Sequence, residues 1–401
     1  MQSKEFSMEL GGRTLTATFT DWANQAGGSV LMKYGETVIL ATAVMSQKPK
    51  EGGDYLPLTV DYEEKFYAAG RILGSRYQKR EGRPSDEAIL SGRIIDRTIR
   101  PLFDQSIRHE IQVVTTVLSI DADNDPDTLG VIGASLALTT SDIPFAGPVS
   151  AVRYGIGRDA EGKPDFTKYV INPAYAERDN LTLDLLVCGK DGNVNMIESE
   201  AKEVDEDIVG NALEQAVAEI EKIQTWQAGI IKEMAKAKRV IEKKPATAGL
   251  AELFTAEIAP KMDKAMFSGA GKDGIHALEE EWVKVYKEKL PEADVNEAIF
   301  YYADRVNDLL HSEAIKNDRR PDGRKMNELR PIQAQAGDLI SSIVHGVGLF
   351  YRGGTHILSV LTLSGPKDSQ LIEGMEVQTK KYFMHHYNFP PFSTGETGRI
   401  G

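Results

Sequence analysis

The chain contains the stretch GSVLMKYGETVILATAVMS at positions 28–46 and a second version of it, GVGLFYRGGTHILSVLTLS, at positions 346–364. A constant offset of 318 pairs Gly28 with Gly346 and Gly35 with Gly353. A further resemblance follows each copy, because residues 62–72 (YEEKFYAAGRI) return as 387–400 (YNFPPFSTGETGRI) with three residues inserted. The sequence therefore predicts a duplicated structural unit, whose opening segments occur at two places in the chain.

The totals are those of an ordinary globular protein. At 401 residues with 41% hydrophobic and 27% charged residues, two or three domains with their own cores are expected. Cys188 is the single cysteine, which excludes a disulfide framework and fits a reducing compartment. We find no signal peptide and no stretch long enough to span a bilayer, so we expect a cytoplasmic protein without a membrane partner.

The charge is unevenly distributed. The net charge is −13, but residues 71–108 carry nine Lys/Arg and five Asp/Glu. A basic segment in an acidic chain indicates a polyanion partner better than the total charge does. The alternative is a solvated helix face.

The first 240 residues combine strand and helix patterns. Residues 14–20 alternate like a half-buried strand, 38–44 resemble a strand covered on both faces, and 111–120 form another strong strand. Residues 129–139 predict a buried helix, and Asp191-Gly-Asn193 predicts a hairpin turn. Residues 205–239 predict one long helix or a helix pair.

Residues 250–315 have helical composition with no convincing strand, and Trp282, Val285 and Tyr286 lie at helical spacing. Polar or Pro/Gly-bearing segments flank this region at 243–249 and 317–324. The layout is a mixed α/β unit, a helical connector and the opening of a second mixed unit.

Within the basic segment, Ser85 is a candidate N-cap and Pro101 ends the predicted helix. Arg93, Arg97 and Arg100 then fall at i, i+4 and i+7 on one face. The other faces, which can pack into the core, are filled by Leu90, Ile94, Ile95, Ile99 and Leu102. Three guanidiniums in a column suit successive phosphates of a polynucleotide. The same column also suits salt bridges to carboxylates elsewhere in this acidic chain.

The preceding loop, RYQKREGR at 76–83, places Tyr77 beside clustered cations. An aromatic ring can stack on a base while the cations hold the backbone, which predicts a single-strand clamp. The aspartate-rich stretch 121–127 lacks the glycine and glutamate of a calcium loop, because Pro126 and Ile132 stand there. Its four aspartates would repel a phosphate at the following helix start.

Several segments resemble the N-terminal part of bacterial polynucleotide phosphorylases (polyribonucleotide nucleotidyltransferases). They are DYEEKFYAAG (61–70), KREGRPS (79–85), RIIDRTIRPLF (93–103), GASLAL (133–138), RRPDGR (319–324) and HYNFPPFSTGETGR (386–399). The resemblance implies an α/β (α+β) fold with two RNase PH-like β-α-β domains, the second incomplete, joined by an all-helical domain. We expect these domains at residues 1–242, 243–316 (helical) and 317–401.

The resemblance also implies a homotrimer with single-stranded RNA in a central pore. It assigns Tyr77, Lys79, Arg80 and Arg83 to the loop at the pore constriction, and it matches the arginine column to residues that draw RNA inward. Where many relatives have two phenylalanines, this chain has Tyr77 and Gln78. We therefore expect a weaker grip per nucleotide.

The implied reaction is 3′-to-5′ phosphorolysis of RNA by inorganic phosphate, releasing nucleoside diphosphates, with Mg²⁺ as cofactor. In the family, the phosphate and metal ligands lie in the second domain, past the GETGR segment. We therefore assign no catalytic and no metal-binding residue to this chain and expect the 401 residues alone to be inactive. The alternatives are a non-catalytic RNA-binding ring or scaffold and, more remotely, an unrelated metabolic α/β enzyme.

Overall fold

A computed structural model describes residues 3–50, 55–121, 123–241, 247–269, 272–337 and 340–400. The chain divides into two compact units, one made of Met1–Ile241 with Ser369–Gly401 and the other of Glu242–Asp368. Residues 243–246 of the predicted linker and the predicted boundary at 242/243 lie outside the described residues. The three-domain division remains a prediction.

The first unit contains a six-stranded sheet in the order β1-β2-β3-β4-β6-β5. Its pairs are antiparallel except for β5 and β6, which run parallel. The strands are β1 (Ser3–Leu10), β2 (Arg13–Thr20), β3 (Gly28–Tyr34), β4 (Thr37–Pro49), β5 (Leu58–Glu63) and β6 (His109–Ser119).

The sheet confirms the alternation predicted for 14–20, because Leu15, Ala17 and Phe19 are buried. The prediction for 38–44 was wrong in one respect. In β4, the face carrying Ile39 is fully buried, but the opposite face is only partly covered and Val44 is exposed. An apolar β-branched run therefore did not require burial on both faces.

The second sheet has the order β10-β9-β7-β8. It consists of β7 (Ser150–Arg158), β8 (Pro164–Ile171), β9 (Leu183–Lys190) and β10 (Asn193–Ala201). The helices of this unit are α1 (Asp86–Ile99), α2 (Pro126–Thr140), the single turn α3 (Tyr175–Arg178) and α4 (Glu206–Met234). The β9–β10 hairpin turns at Asp191-Gly192, as predicted.

Helix α2 is the centre of the first core. Nearly all of its residues are buried, which its small apolar composition predicts. Gly133 lets the helix approach the sheet closely, because a Cβ there would lie 3.0 Å from the Cβ of Ala41. The long helix predicted at 205–239 is one helix, α4, whose stripe with Ile220 and Ile223 packs on the same core.

The second unit carries helices α5 (Leu250–Glu257), α6 (Ala259–Phe267), α7 (Lys272–Lys289) and α8 (Val295–Asn317). They enclose their own core around Phe254, Trp282 and Tyr302. A three-stranded sheet, β11-β12-β13, follows with strands β11 (Ile332–Ala336), β12 (Gly346–Arg352) and β13 (Thr355–Leu361). A hairpin of β14 (Gln370–Glu373) and β15 (Gln378–Lys381) belongs to the first unit.

The backbone repeats where the sequence repeats. Tyr34 pairs with Thr37 across β3 and β4, and Arg352 pairs with Thr355 across β12 and β13, which is the same register at the offset of 318. The second resemblance also holds, because 3₁₀ turns at Phe66–Ala69 and Pro391–Thr394 both end at a left-handed glycine. The two copies differ in burial, since β13 is exposed along its length and β4 is not.

Candidate nucleic-acid interface

Helix α1 begins as predicted at Ser85, whose side-chain oxygen accepts a hydrogen bond from the backbone N–H of Ala88 at 2.9 Å. The same hydroxyl donates to Glu64 at 2.5 Å. Ile95 and Ile99 are fully buried and fix the rotation of the helix. The opposite face of α1 is therefore held toward solvent.

The prediction that Leu90 packs into the core was wrong, because its side chain is 55% exposed. Leu90 lies in the second turn of α1, on the side that also carries Arg93 and Arg97. The core instead takes Ala88, Ser91 and the later isoleucines.

The three arginines of the column have different surroundings. Arg93 is exposed, and no described residue forms an ion pair or hydrogen bond with its guanidinium. Arg97 is also exposed and meets Glu198 at 3.1 Å, with both side chains half exposed. Such a surface pair contributes about 0–1 kcal/mol, so a phosphate can displace the carboxylate.

The guanidinium of Arg100 is bound by other groups of the protein. It contacts Asp96 at 2.7 Å and donates to the carbonyl oxygen of Leu58 at 3.0 Å, both in partly buried positions. Arg100 thereby joins the end of α1 to β5. The column predicted from spacing thus contains one unpaired cation, one weakly paired cation and one structural cation.

The loop before α1 is compact and cationic. Lys79 adopts a left-handed backbone and donates its N–H to the carbonyl of Ser75 at 3.0 Å. Gly74 has φ +100°, and a side chain there would collide with the backbone of Arg80. Glu81 accepts from the backbone N–H of Phe66 at 2.6 Å, which ties the loop to the 3₁₀ turn.

The loop side chains point into solvent. Tyr77 is 90% exposed, and Lys79, Arg80 and Arg83 are exposed as well. Among the described residues, none pairs with these three cations. A flat aromatic ring with unpaired cations next to it can stack a base and attract the adjoining phosphates.

A second charged cluster, at the start of α2, was not predicted. Asp125 is buried and contacts Arg153 and Arg178 at 2.8 Å each, and Arg153 also contacts Asp184 at 3.1 Å. Although burial acts in the opposite direction, the two arginines hold the pKa of Asp125 below its usual value. A lone arginine inside the apolar strand SAVRYGI was the sequence signal for such a buried pair.

This cluster occupies the helix N-terminus where an anion would otherwise bind. Its arginines are already neutralised by Asp125 and Asp184, and Asp127 adds another carboxyl group. Asp121, in the preceding loop, accepts backbone N–H groups of Glu36 and Asn124 and so shapes the turn. Across the described ranges, no group of three or more His, Cys, Asp or Glu residues is placed to hold a metal ion.

Residues 11–144 match the family model described as 3′ exoribonuclease family, domain 1. Polyribonucleotide nucleotidyltransferase of Caldicellulosiruptor bescii is 42% identical over 99% of this chain and 55% of its own length. The enzyme of the same name from Staphylococcus epidermidis is 42% identical over 100% of this chain and 56% of its length. The chain thus spans about half the length of the curated relatives it matches.

Two solved structures are also similar. Rice (Oryza sativa) Rrp46 has a TM-score of 0.43 at 14% identity, covering 56% of this chain and 96% of that one. An Archaeoglobus fulgidus exosome with RNA bound to the active site has a TM-score of 0.39 at 17% identity, covering 56% and 87%. Because both TM-scores are below 0.5, the assignment rests on the sequence matches. Residues 11–144 therefore match the first domain of the 3′ exoribonuclease family, and the chain as a whole is similar, over about half their length, to the polyribonucleotide nucleotidyltransferases.

Proposed function

We propose that the chain is the RNA-gripping part of a 3′-to-5′ phosphorolytic exoribonuclease. The observation that carries the proposal is the solvent-facing group of Tyr77, Lys79, Arg80, Arg83 and Arg93 within a domain of the 3′ exoribonuclease family. The cations draw in the RNA backbone, and Tyr77 stacks a base. Neither interaction reads base identity, which suits an enzyme that must degrade any sequence.

The individual residues have unequal parts in this grip. Arg93 is free to bind a phosphate at once, whereas Arg97 must first leave Glu198. Arg100 supports the grip indirectly by fixing the end of α1. Gln78, in place of a second aromatic residue, leaves one stacking platform in the loop.

The reaction that we propose for the whole enzyme uses inorganic phosphate to cleave the 3′-terminal linkage of RNA and release a nucleoside diphosphate. Mg²⁺ would offset the charge that develops on the phosphoryl oxygens. Among the described residues, no group of three or more His, Cys, Asp or Glu residues is placed to hold such an ion, and Asp125 and Asp184 are paired with arginines. We therefore propose that the 401 residues bind RNA without turning it over.

The proposed assembly is a homotrimer around single-stranded RNA. A cytoplasmic location remains a prediction and is consistent with the single cysteine, Cys188. Within the described part of the chain, no helix is both long enough and apolar enough to cross a lipid bilayer.

Binding is tested by fluorescence anisotropy with labelled single-stranded RNA over a series of salt concentrations. We expect Lys79→Ala and Arg93→Ala each to weaken binding and to reduce the slope of log K against log[salt] by about 0.7, because each removes one phosphate contact to single-stranded RNA. Lys287→Ala, at an exposed position of α7, is the matched control and should leave the slope unchanged. Equal effects of all three substitutions would refute a specific interface.

Turnover is tested separately by incubating the purified chain with RNA, inorganic phosphate and Mg²⁺. We expect binding without release of nucleoside diphosphates. This result alone also fits the alternative, a non-catalytic RNA-binding scaffold. A fusion protein separates the two hypotheses. It carries the remaining half of a homologue after residue 401 and receives the same RNA, inorganic phosphate and Mg²⁺. Phosphorolysis by this fusion would contradict the scaffold alternative.

A further inference from the structure

The turn between β14 and β15, residues 374–377, is anchored in the core of the first unit. Met375 is 1% exposed and belongs to the same hydrophobic cluster as Ile95 and Leu129. The turn is closed by a hydrogen bond from the N–H of Gly374 to the carbonyl of Val377 at 2.9 Å. The strands on either side are mostly exposed, so this turn is the point at which the hairpin is held.

Next to Met375, the carboxyl group of Glu376 enters a polar recess. Its Oε2 accepts a hydrogen bond from the hydroxyl of Tyr175 at 2.7 Å. Among the described residues, no cation forms an ion pair with Glu376. The recess therefore holds a partly buried carboxyl group without a counter-ion of its own.

The groups that face this recess are mainly acidic. They come from the start of α2, the end of β5, the first turn of α1, α3 and β7, and they are Asp125, Asp127, Glu64, Tyr62, Glu87, Tyr175, Arg178 and Arg153. Both cations in this set are already taken, because Arg153 and Arg178 contact Asp125. An ionised Glu376 would thus carry its charge among four further carboxyl groups, those of Asp125, Asp127, Glu64 and Glu87.

The titration behaviour agrees with this geometry. Burial first, and then the carboxylate of Asp125, raise the pKa of Glu376 to about 7. The same two causes raise the pKa of Asp127 to about 8. Within the described residues, Oδ1 of Asp127 and the hydroxyl of Tyr62 are buried without a hydrogen-bond partner.

We propose that residues 374–377 form a proton-dependent latch, docked while Glu376 carries a proton and released when Glu376 is ionised among the surrounding carboxylates. The protonated carboxyl group keeps the hydrogen bond with Tyr175 and avoids like-charge repulsion. Release would free the hairpin while leaving the two sheets intact. This inference is independent of the proposed function.

The direction of the pH effect follows from linkage. Because the pKa of Glu376 is about 7 when docked and 4.5 ordinarily, the docked state binds more protons between these values. Protonation of Glu376 therefore contributes fully to docking below its ordinary pKa of 4.5, and this contribution is lost as the pH rises through about 7. We expect the docking equilibrium constant to fall about tenfold between about pH 6 and about pH 8.

The test is hydrogen exchange of the 401-residue chain, followed by mass spectrometry on a peptide that covers the latch, with protection factors corrected for intrinsic exchange rates. Protection in the unmodified chain should fall about tenfold from about pH 6 to about pH 8. Glu376→Gln, whose amide oxygen still accepts from Tyr175, should change less than about twofold. Glu373→Gln, at an exposed position of the same hairpin, should behave like the unmodified chain.

Four results would overturn the latch. The first is equal protection of the unmodified chain at both pH values, and the second is an unchanged pH dependence in Glu376→Gln. The third is recovery of protection at about pH 8 on adding millimolar Mg²⁺, which would mean that the carboxylates hold a cation and not a proton. Loss of protection in Glu376→Gln at both pH values would also contradict the proposal, because docking would then need the ionised carboxylate.

Discussion

At the scale of single residues, the same side-chain type serves two purposes on one helix. Arg93 and Arg100 both follow the helical spacing that suits a row of phosphates. Arg93 has solvent around it, whereas Arg100 has Asp96 and the carbonyl of Leu58 within hydrogen-bonding distance. Sequence spacing places both side chains along the helix, but Arg100 finds one partner on its own helix, Asp96, and the other on β5, Leu58.

This difference predicts that two alanine substitutions change the free energy of unfolding by different amounts. Arg100→Ala should lower the free energy of unfolding by about 1 kcal/mol, because it removes a partly buried hydrogen bond and leaves Asp96 without its partner. Arg93→Ala should stay within about 0.5 kcal/mol of the unmodified chain, since it loses no contact with a described residue. Urea denaturation followed by circular dichroism measures both, and equal losses would mean that Arg93 also has a structural role.

The charged side chains at the start of α2 occupy a position where a phosphate could otherwise bind. A helix N-terminus after a strand is a usual place for a phosphate. Here Asp125 accepts from the N–H of Asp127, two residues on, and binds both nearby arginines. The groups that could have bound a phosphate are used to stabilise the fold.

At the scale of elements, α1 shows how local sequence sets a surface. The N-cap Ser85, acidic residues in the first turn and buried residues every three to four positions all favour the same helix. These signals lie within about fifteen residues of one another, so the helix could be predicted with its correct start. Its exposed face does not follow from apolarity alone, because Leu90 lies on it.

The cap is testable by a conservative pair of substitutions. Ser85→Ala should lower the free energy of unfolding by about 1 kcal/mol, because the N–H of Ala88 loses its acceptor. Ser85→Thr keeps a hydroxyl and should recover most of that loss. Chemical denaturation provides the measurement, and an equally destabilised Ser85→Thr would show that the effect comes from packing and not from the cap.

The repeated hairpin is the other element that the sequence determined. Gly35 and Gly353 both have positive φ at the tight turn, so the spacing of these glycines fixed the register of both hairpins. The burial of the two copies differs because β4 pairs with β6 and faces α2, while β13 ends its sheet. Repetition of a local pattern therefore predicted backbone geometry but not environment.

At the scale of the whole molecule, the residues that the structure describes form two separate hydrophobic clusters. The second is built on aromatic residues: Trp282 lies 5.2 Å from Phe254 and 5.4 Å from Tyr286, measured between ring centroids. Its indole N–H donates to the carbonyl of Ala298 at 2.8 Å. Two independent cores predict more than one unfolding transition.

We expect Trp282→Ala to lower the stability of the unit that contains it by about 3–5 kcal/mol, because it empties the centre of the aromatic cluster. Scanning calorimetry should show one transition moving and the other staying in place. Trp22→Ala is the matched control, since Trp22 is 61% exposed and its removal should change stability by no more than about 0.5 kcal/mol. A joint shift of both transitions in Trp282→Ala would mean that the two cores unfold together.

The sequence by itself determined the features whose causes lie close together in the chain. These are the duplicated hairpin, the capped helix α1, the aromatic and cationic loop around Tyr77, and the resemblance to a known family. Tertiary structure decided how most of the charges are used, although Asp96, one partner of Arg100, lies only four positions away on the same helix. Arg100 is held by Leu58, Asp125 by Arg153 and Arg178, and Tyr175 by Glu376, 201 positions away. Such pairs depend on the removal of water from side chains that folding brings together, and spacing along the chain carries no record of that.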